Sequence, residues 1–399
     1  MIKRKITEIL LNGSVLFATA ISILALGMIF FYVIKEGADL LSWNLIRGNY
    51  HARNYVAVLD PSFQDDTFDM PDFEDEDVYV SYRYGIALKQ SRNLAGDGVI
   101  KVAYVAEGSP FTAMINQDQT KEMIAIDKDW VLSRITYLEH PSSLTSKGAA
   151  SMIQDLEDPQ REIFEVMFAK EGGGIYGSLI TTLYLIFLTL IIALPFGILT
   201  AIYFNEFAAK NRWTKTMRSF IETLTGVPSI IFGLLGITVF VPLTMRLTPA
   251  SGSNLIAGAL TLTVILLPVI IRTTEEALRV IPDDHRFASL ALGANKTQTT
   301  FKVVLPQAVP GILTATFLGI GRIIGESAAL IFVLGAAIKD TVNIYRPSTS
   351  LAVHIWSMMT DEPPNVALSS TIALIILLIV LILNVSIKWI VSRFYTKGS

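Results

Sequence analysis

The stretch Asp283–Pro306, DDHRFASLALGANKTQTTFKVVLP, is the most distinctive part of this 399-residue sequence and lies between two long apolar runs. Four of its apolar residues recur at helical spacing and predict a short helix with one apolar face: Phe287, Leu290, Ala291 and Ala294. Gly293 is well placed to end this helix in the left-handed conformation. Asn295 or Thr297 can then begin a second short helix that ends before Leu305-Pro306. The stretch predicts a two-helix knob; an ordinary interfacial loop stays open as the alternative.

Six runs with few or no charges are each long enough for a membrane-spanning helix, which needs roughly 20 apolar residues. They are 14–34, 172–205, the stretches between Glu222 and Arg246 and between Arg246 and Arg272, 303–338 and 363–387. Pro306 and Pro310 indicate that the fifth helix begins near Pro310. The first run follows Lys3-Arg4-Lys5 as in a signal peptide, but its length and the missing A-x-A motif predict a retained anchor. The sequence thus predicts an all-α polytopic membrane protein with six transmembrane helices.

Charge is divided unevenly along the chain. Residues 35–175 contain 13 basic and 24 acidic side chains, a net charge of −11, whereas the other residues contain 19 basic and 11 acidic ones, a net of +8. Basic clusters at 3–5, 210–218 and 388–397 fall on one side of a six-span chain. An excess of basic residues in short loops marks the cytoplasmic side. We therefore expect the protein in the plasma (inner) membrane, with both termini in the cytoplasm.

This topology divides the chain into three predicted parts: a cytoplasmic tip with the first anchor (1–36), an extracytoplasmic insert (37–172) and a five-helix core (173–399) with a cytoplasmic loop at 276–306. Alternation at 78–84 and the run 99–106 predict strands in the insert, and 142–171 is expected to be helical in part, which makes an α+β domain. A hinge is expected at Gly172–Gly174. Residues 60–77 contain nine acidic side chains and no basic one, which indicates a solvated loop. A Ca²⁺ site is the alternative, although Asp77 stands where an EF-hand loop needs glycine.

Several kinds of chemistry are missing from the sequence. There is no cysteine, no P-loop, no G-x-S-x-G motif, no histidine cluster and no basic stripe for nucleic acid. We therefore expect neither an enzyme acting on its own nor a bound cofactor or metal, and no nucleic-acid partner.

Two opposite charges lie inside the fifth apolar run. If its helix begins at Pro310, Arg322 lies roughly 18 Å along it, near the middle of the membrane, and Glu326 follows on the same helical face. Intramembrane charges commonly line substrate paths, and guanidinium matches tetrahedral oxyanions. Arg322 and Glu326 are therefore candidates for an anion path, or for a buried pair that locks helices together. Arg272 is a second candidate contact, although a snorkelling anchor at the membrane interface is the favoured interpretation of this residue.

The knob resembles the cytoplasmic signature loop of ABC importer permeases, whose pattern is E-A-A, three residues, G, nine residues, I-x-L-P. Here the pattern reads Phe287-Ala288-Ser289, then Gly293, then Val303-x-Leu305-Pro306. Phe287 replaces the acidic residue and Val303 replaces the isoleucine. Three further segments are similar to the phosphate-specific branch of that family: TGVPSIIFG at 225–233, ASLALGA at 288–294 and GRIIGE at 321–326.

The resemblance implies the fold of a type I ABC importer permease and a role in moving inorganic phosphate inward. It implies a sister permease, an external phosphate-binding protein and a cytoplasmic ATPase dimer, which carries the ATP and Mg²⁺. The ATPase would dock on the loop 276–306, called the coupling loop below, at Phe287, Ala288, Leu290, Gly293, Leu305 and Pro306. Two other hypotheses stay open: a membrane-anchored receptor or assembly protein that acts through the insert, and a permease for another oxyanion such as sulfate or molybdate.

Overall fold

The computed structural model describes residues 2–59, 67–73, 75, 77–92, 98–117, 121–170 and 172–395. In this part of the chain six helices are long and apolar enough to cross a membrane: Leu11–Gly37, Tyr176–Phe207, Ser229–Leu247, Leu255–Arg279, Lys296–Gly325 and Val366–Ser386. The six predicted spans are thus confirmed, as is the fold class of an α-helical membrane protein with an inserted α+β domain.

The helices have the following bounds: α1 Ile2–Gly37, α2 Trp43–Arg47, α3 Ala149–Glu157, α4 Tyr176–Ile202, α5 Arg212–Thr225, α6 Ser229–Leu235, α7 Val241–Leu247, α8 Leu255–Arg279, α9 Asp283–Ala291, α10 Lys296–Thr299, α11 Leu305–Gly325, α12 Ala328–Leu334, α13 Leu351–Thr360 and α14 Val366–Tyr395. Three π-helical turns join or extend them: Tyr203–Phe207, Gly236–Phe240 and Thr300–Val304. The strands are β1 Arg53–Val58, β2 Val78–Ser81, β3 Ile86–Arg92, β4 Gly98–Val105, β5 Met114–Asn116, β6 Met123–Ile124, β7 Val131–Tyr137, β8 Ser143–Leu144 and β9 Ile163–Lys170.

The fifth span begins earlier than the prolines suggested. Helix α10, the π-turn Thr300–Val304 and α11 follow one another without a break, so the second short helix does not end before Leu305. Pro306 lies in the first turn of α11, and Pro310 lies inside the helix. The π-turn Thr300–Val304 directly precedes this proline, so the regular α-helical pattern is already interrupted where Pro306 lacks its N–H. The expected helix start at Pro310 was therefore wrong.

The membrane helices form one compact unit with residues 1–47, and α8 is the most buried of the spans. Helix α8 packs along both α4 and α11, and α1 packs along α14. The shared core consists of aliphatic side chains from α4, α8, α11 and α12, among them Leu185, Leu262, Leu266, Ile323 and Leu330. Because α8 packs along both α4 and α11, it holds these two spans in register with each other.

The second compact unit is Gly48–Gly174. Its described residues form an antiparallel sheet in the order β2-β3-β4-β7-β9-β1-β5-β6, with β8 on β7. Helix α3 packs on β2, β3 and β8, and its Met152 and Leu156 join a core that includes Phe111 and Phe168. The predicted strand at 99–106 corresponds to β4, whereas the one at 78–84 ends at Ser81. The segment expected to be partly helical contains α3 and also the central strand β9.

The glycines expected to form a hinge are instead paired with the start of the insert. Gly173 N–H donates to Tyr50 O at 2.7 Å, and Gly174 N–H donates to Asn49 O at 2.9 Å. A Cβ on Gly174 would lie 2.1 Å from the backbone of Gly48, so only glycine permits this approach. The two ends of the insert therefore meet, which is how a domain fits into a loop. Of the acidic run 60–77, for which a solvated loop or a Ca²⁺ site is expected, residues 60–66, 74 and 76 lie outside the described residues.

Strand β9 offers a matched pair for testing the core of the insert. Phe168 is fully buried, and it stacks on Tyr55 and packs against Trp130, whereas Phe164 on the same strand is exposed. We expect Phe168→Ala to lower the free energy of unfolding of the insert by about 3–5 kcal/mol and Phe164→Ala to lower it by less than about 1 kcal/mol. Urea unfolding of the detergent-solubilised chain, followed by tryptophan fluorescence, measures both; equal losses would contradict this packing.

Candidate functional site: the coupling loop and the end of span five

Helix α9 of the coupling loop is capped by local chemistry at both ends. Asp283 and Asp284 occupy its first turn, where negative charge is favourable. At the other end Gly293 has φ +87°, its N–H donates to Leu290 O at 3.0 Å, and Ala294 N–H donates to Ser289 O at 3.2 Å. The predicted left-handed cap at Gly293 is confirmed.

Asn295, one of the two predicted starts of the second short helix, is the N-cap of α10. The Asn295 side chain accepts from Gln298 N–H at 2.8 Å, and the Gln298 side chain accepts from Asn295 N–H at 3.0 Å. This reciprocal capping box fixes the direction in which the chain leaves Gly293. The sharp turn between α9 and α10 is therefore built from residues that are adjacent in sequence.

The apolar side chains of the loop are uncovered. Phe287, Leu290 and Leu292 are all exposed, Leu292 to 90%. Beside them lies an open groove of about 600 Å³, lined by Asp284, His285, Ala288, Ser289, Leu292, Ala294 and Val303. An apolar surface that its own chain leaves bare is typical of a site where another protein binds.

The six predicted docking residues do not share one surface. Phe287, Ala288, Leu290 and Gly293 are exposed on the loop, and Pro306 is exposed in the first turn of α11. Leu305 instead packs against a cluster formed by Ile202, Leu278, Ile281, Val304 and Ala308. Leu305 thus joins the loop to the ends of two spans and is not part of the exposed knob.

A nearly buried ion pair fastens α9 to the second span. Arg286 Nη2 lies 2.8 Å from Glu206 Oε1, and the two side chains are 15% and 9% exposed. Arg286 also donates to Ile281 O at 2.8 Å and to Leu278 O at 3.0 Å, at the end of α8. Asn205 Nδ2 donates to the same Glu206 oxygen at 2.9 Å. One guanidinium thereby holds the coupling helix, the end of α8 and the π-turn after α4 together.

The spacing of residues in the sequence does not reveal this pair. Glu206 and Arg286 are 80 positions apart, and no helical or strand period connects them. One signal was present: Glu206 is the single acidic residue between 206 and 218, where four basic residues follow. An isolated acidic residue in an otherwise basic loop is a sequence signal for a specific basic partner.

A second charged cluster ties α5 to the same end of α8. Arg218 Nη2 lies 3.2 Å from Glu275 Oε1, and Arg279 lies 3.6 Å from the other oxygen of that carboxylate. Arg218 also donates to Phe204 O at 2.6 Å, and its guanidinium stacks over the Phe204 ring. Helix α5 therefore lies at the membrane face that carries the coupling loop.

Arg322 and Glu326 do not form the expected pair. Helix α11 ends at Gly325, and Glu326 has extended backbone angles, so the two residues do not share a helical face. Glu326 Oε1 instead accepts from Ala329 N–H at 3.2 Å, at the start of α12. Arg322 lies exposed in the last turn of α11, roughly 26 Å from Leu305 by helical rise, and not at mid-helix. Its side chain makes no hydrogen bond or ion pair within the described residues, so its donors are available to a ligand or another chain.

Arg272 lies elsewhere on the neighbouring helix. It is exposed on α8 and pairs with Glu276 at 3.2 Å, one turn further on. Two close approaches set the register of the antiparallel helices α8 and α11: Gly311 faces Ala277, and Gly319 faces Leu266. Interpolation between them puts Arg272 about 11 Å from Arg322 along the helix axes. The structure therefore brings neither Glu326 nor Arg272 to the Arg322 guanidinium.

Comparison with known proteins shows similarity to transport permeases. Residues 193–396 match the family described as "Binding-protein-dependent transport system inner membrane component". The chain is 36% identical over 241 residues to the "Probable ABC transporter permease protein YqgI" of Bacillus subtilis, covering 57% of this chain and 80% of that protein. It is 32% identical over 225 residues to the "Phosphate transport system permease protein PstA" of Yersinia pestis, covering 56% and 74% respectively.

Two further similarities are partial. A PstA homolog of Mycoplasma pneumoniae is 36% identical over 211 residues, which span 51% of this chain and only 32% of that protein. Among solved structures, an inward-facing conformation of the MetNI methionine ABC transporter is 25% identical with a TM-score of 0.44, and the match covers 55% of this chain and 94% of that one.

The buried pair is open to a direct test of its contribution to stability. Arg286→Ala leaves Glu206 as an uncompensated, nearly buried charge, so we expect a loss of about 3–5 kcal/mol in the free energy of unfolding. The combined change Glu206→Leu with Arg286→Met removes both charges and is expected to recover most of that loss.

The exposed pair Arg272–Glu276 supplies the control, since both its side chains are well solvated. Glu276→Gln should cost less than about 1 kcal/mol. Denaturant unfolding of the detergent-solubilised chain measures the free energy of unfolding of all three variants. If Arg286→Ala lowers this free energy no more than Glu276→Gln does, the Glu206–Arg286 pair, here called the clamp, is not a stabilising element.

Proposed function

The chain belongs to the family of binding-protein-dependent transport system inner membrane components, and we propose that it is the permease subunit of an ATP-driven importer of inorganic phosphate. In this proposal it forms the translocation path together with a sister permease. An extracytoplasmic binding protein delivers phosphate, and a cytoplasmic ATPase dimer drives transport. The chain itself is then a transport subunit and not an enzyme, and the ATP and Mg²⁺ belong to its partner.

The observation that carries the proposal is the uncovered surface of the coupling loop. Phe287, Leu290 and Leu292 are exposed on α9 and its C-cap, and the ion pair between Arg286 and Glu206 fixes the position of this helix. A rigid element with bare apolar side chains suits transmission of movement from a second protein, because the partner gains apolar contact and the loop does not yield. The match of Ala288, Gly293, Leu305 and Pro306 to the signature loop of ABC importer permeases supports an ATPase as that protein.

Phosphate as the substrate is supported by two independent features. Curated relatives from Yersinia pestis and Mycobacterium tuberculosis carry the name of phosphate transport permeases. Arg322 offers a guanidinium with no partner among the described residues at the end of span five, and its planar donors suit a tetrahedral oxyanion. We propose Arg322 as the main path contact, with Glu326 and Arg272 as further path residues that act separately from it. Both termini lie in the cytoplasm in this scheme.

Replacement of Arg322 tests the path. Arg322→Ala removes a charged donor pair, so we expect uptake of labelled phosphate by proteoliposomes that contain the assembled importer to fall by at least about tenfold. Arg322→Lys keeps the charge without the fork and should retain an intermediate rate. Arg246→Ala, an exposed cation in the last turn of α7, is the matched control. Unchanged uptake in Arg322→Ala, with the ATPase still bound, would remove Arg322 from the path.

Replacement of Gly293 tests the loop. Its φ of +87° suits glycine and is tolerated by asparagine, whereas a β-branched residue there is strained by about 1–2 kcal/mol. No heavy atom lies within 4 Å of the added Cβ, so any effect acts through the backbone. We expect Gly293→Val to lower ATP hydrolysis stimulated by the binding protein severalfold and Gly293→Asn to retain most of it. Full stimulation in Gly293→Val would argue against docking at this turn.

A further inference from the structure

Helix α5 carries an apolar stripe that the rest of its chain does not cover. None of its residues is buried, and Trp213 is 74% exposed. Four large side chains follow the spacing i, i+4, i+7 and i+11, which confines them to an arc of about 60° on the helix: Trp213, Met217, Phe220 and Leu224. We call these four residues the α5 stripe.

The remaining faces of α5 are already assigned by their surroundings. Thr214, Arg218 and Ile221 are half-buried and form the side that packs towards α8, where Arg218 meets Glu275. The side opposite the stripe consists of exposed polar residues, among them Lys215, Ser219 and Glu222. The stripe is turned about 100° from the packed face and faces away from the polar side, so neither the protein core nor the polar side accounts for it.

Short connections keep α5 at the membrane face. Span two ends at Phe207, and only residues 208–211 precede α5; residues 226–228 separate it from the next span at Ser229. Four extended residues reach about 14 Å at most. With 14 residues the helix is roughly 21 Å long, too short to cross the hydrocarbon layer itself. These connections and this length suit an amphipathic helix that lies in the plane of the interface.

The charges beside the stripe have one sign. Lys210, Arg212 and Lys215 precede or begin the helix, with no acidic residue from 207 to 221. Unlike Arg218, their side chains make no hydrogen bond or ion pair with the described residues. A tryptophan-bearing apolar stripe next to unpaired cations is the pattern of a helix that binds an anionic lipid surface.

We propose that α5 is an interfacial helix that binds the anionic lipid surface of the leaflet next to the coupling loop. The α5 stripe enters the boundary between headgroups and acyl chains, and Lys210, Arg212 and Lys215 contact lipid phosphates. Through Arg218 and Glu275 the bound helix is tied to α8, close to where the coupling loop begins. Its place on the cytoplasmic leaflet rests on the topology proposed above, whereas its insertion into lipid does not.

The absence of cysteine in the chain makes the test direct, because a single introduced cysteine takes a fluorescent label at one known place. Met217→Cys and Phe220→Cys report on the stripe, and Ser219→Cys is the matched control on the polar side. Each full-length variant is labelled, assembled with its partners and reconstituted into vesicles of phosphatidylcholine and phosphatidylglycerol. A spin-labelled lipid quenches from within the bilayer, and iodide quenches from water.

We expect the lipid quencher to act severalfold more strongly at Met217 and Phe220 than at Ser219, with the reverse order for iodide. Labels on the stripe that are shielded from both quenchers would show a covering protein, and strong iodide quenching there would show an exposed face; either result overturns the proposal. Quenching of the label does not depend on transport. If the complex fails to take up phosphate, the position of α5 in lipid can still be measured.

A change of lipid composition and a charge-removal variant test whether α5 requires anionic lipid. Removal of phosphatidylglycerol should reduce lipid quenching at Phe220, since each basic residue adds about fivefold to partitioning onto an anionic surface. Lys210→Gln, Arg212→Gln and Lys215→Gln together should abolish that dependence. The same three-charge change at exposed Lys121, Lys128 and Lys147 of the insert serves as the control and should preserve it. Quenching that ignores phosphatidylglycerol in the unaltered chain would overturn the anionic-lipid assignment.

Discussion

The ion pair between Glu206 and Arg286 is the interaction on which the membrane face of this protein depends. Two nearly buried charges are stable only together, and the guanidinium also binds the last carbonyls of α8. Span two, span four and the coupling helix therefore meet at one side chain. Because this contact holds α9 against the ends of spans two and four, Phe287 and Leu292 remain exposed on a helix that is fixed in place.

The segments on both sides of this clamp depart from regular helix. Glu206 lies in the π-turn Tyr203–Phe207, and α9 packs against the π-turn Thr300–Val304 at the start of span five. A π-turn shifts side-chain directions within a continuous helix and is frequent at functional sites. Here the first turn directs Glu206 towards Arg286. The second lies where α10 runs into α11 at Pro306, so the coupling loop is joined to span five by continuous helix and not by a flexible segment.

Local chemistry was readable from the sequence, and contacts at a distance were not. Apolar length identified the six spans, and Gly293 and Asn295 identified the turn of the loop, because these features depend on neighbouring residues. The pairing of Arg322 with Glu326 was wrong because it assumed an unbroken helix, and the break after Gly325 has no proline to signal it. Strand β9 and the Glu206–Arg286 pair were missed because both are decided by partners far along the chain, at β1 and β7 and across 80 residues.

Inward movement of phosphate, at the expense of ATP hydrolysed by a partner on the coupling loop, is the function that we propose for this chain. It is tested most directly in proteoliposomes that contain the assembled importer, its binding protein and labelled phosphate, with ATP on the side of the ATPase. We expect accumulation of phosphate that requires ATP and persists in excess sulfate or molybdate. Accumulation that fails with ATP present, or that is displaced by either of those oxyanions, would contradict it.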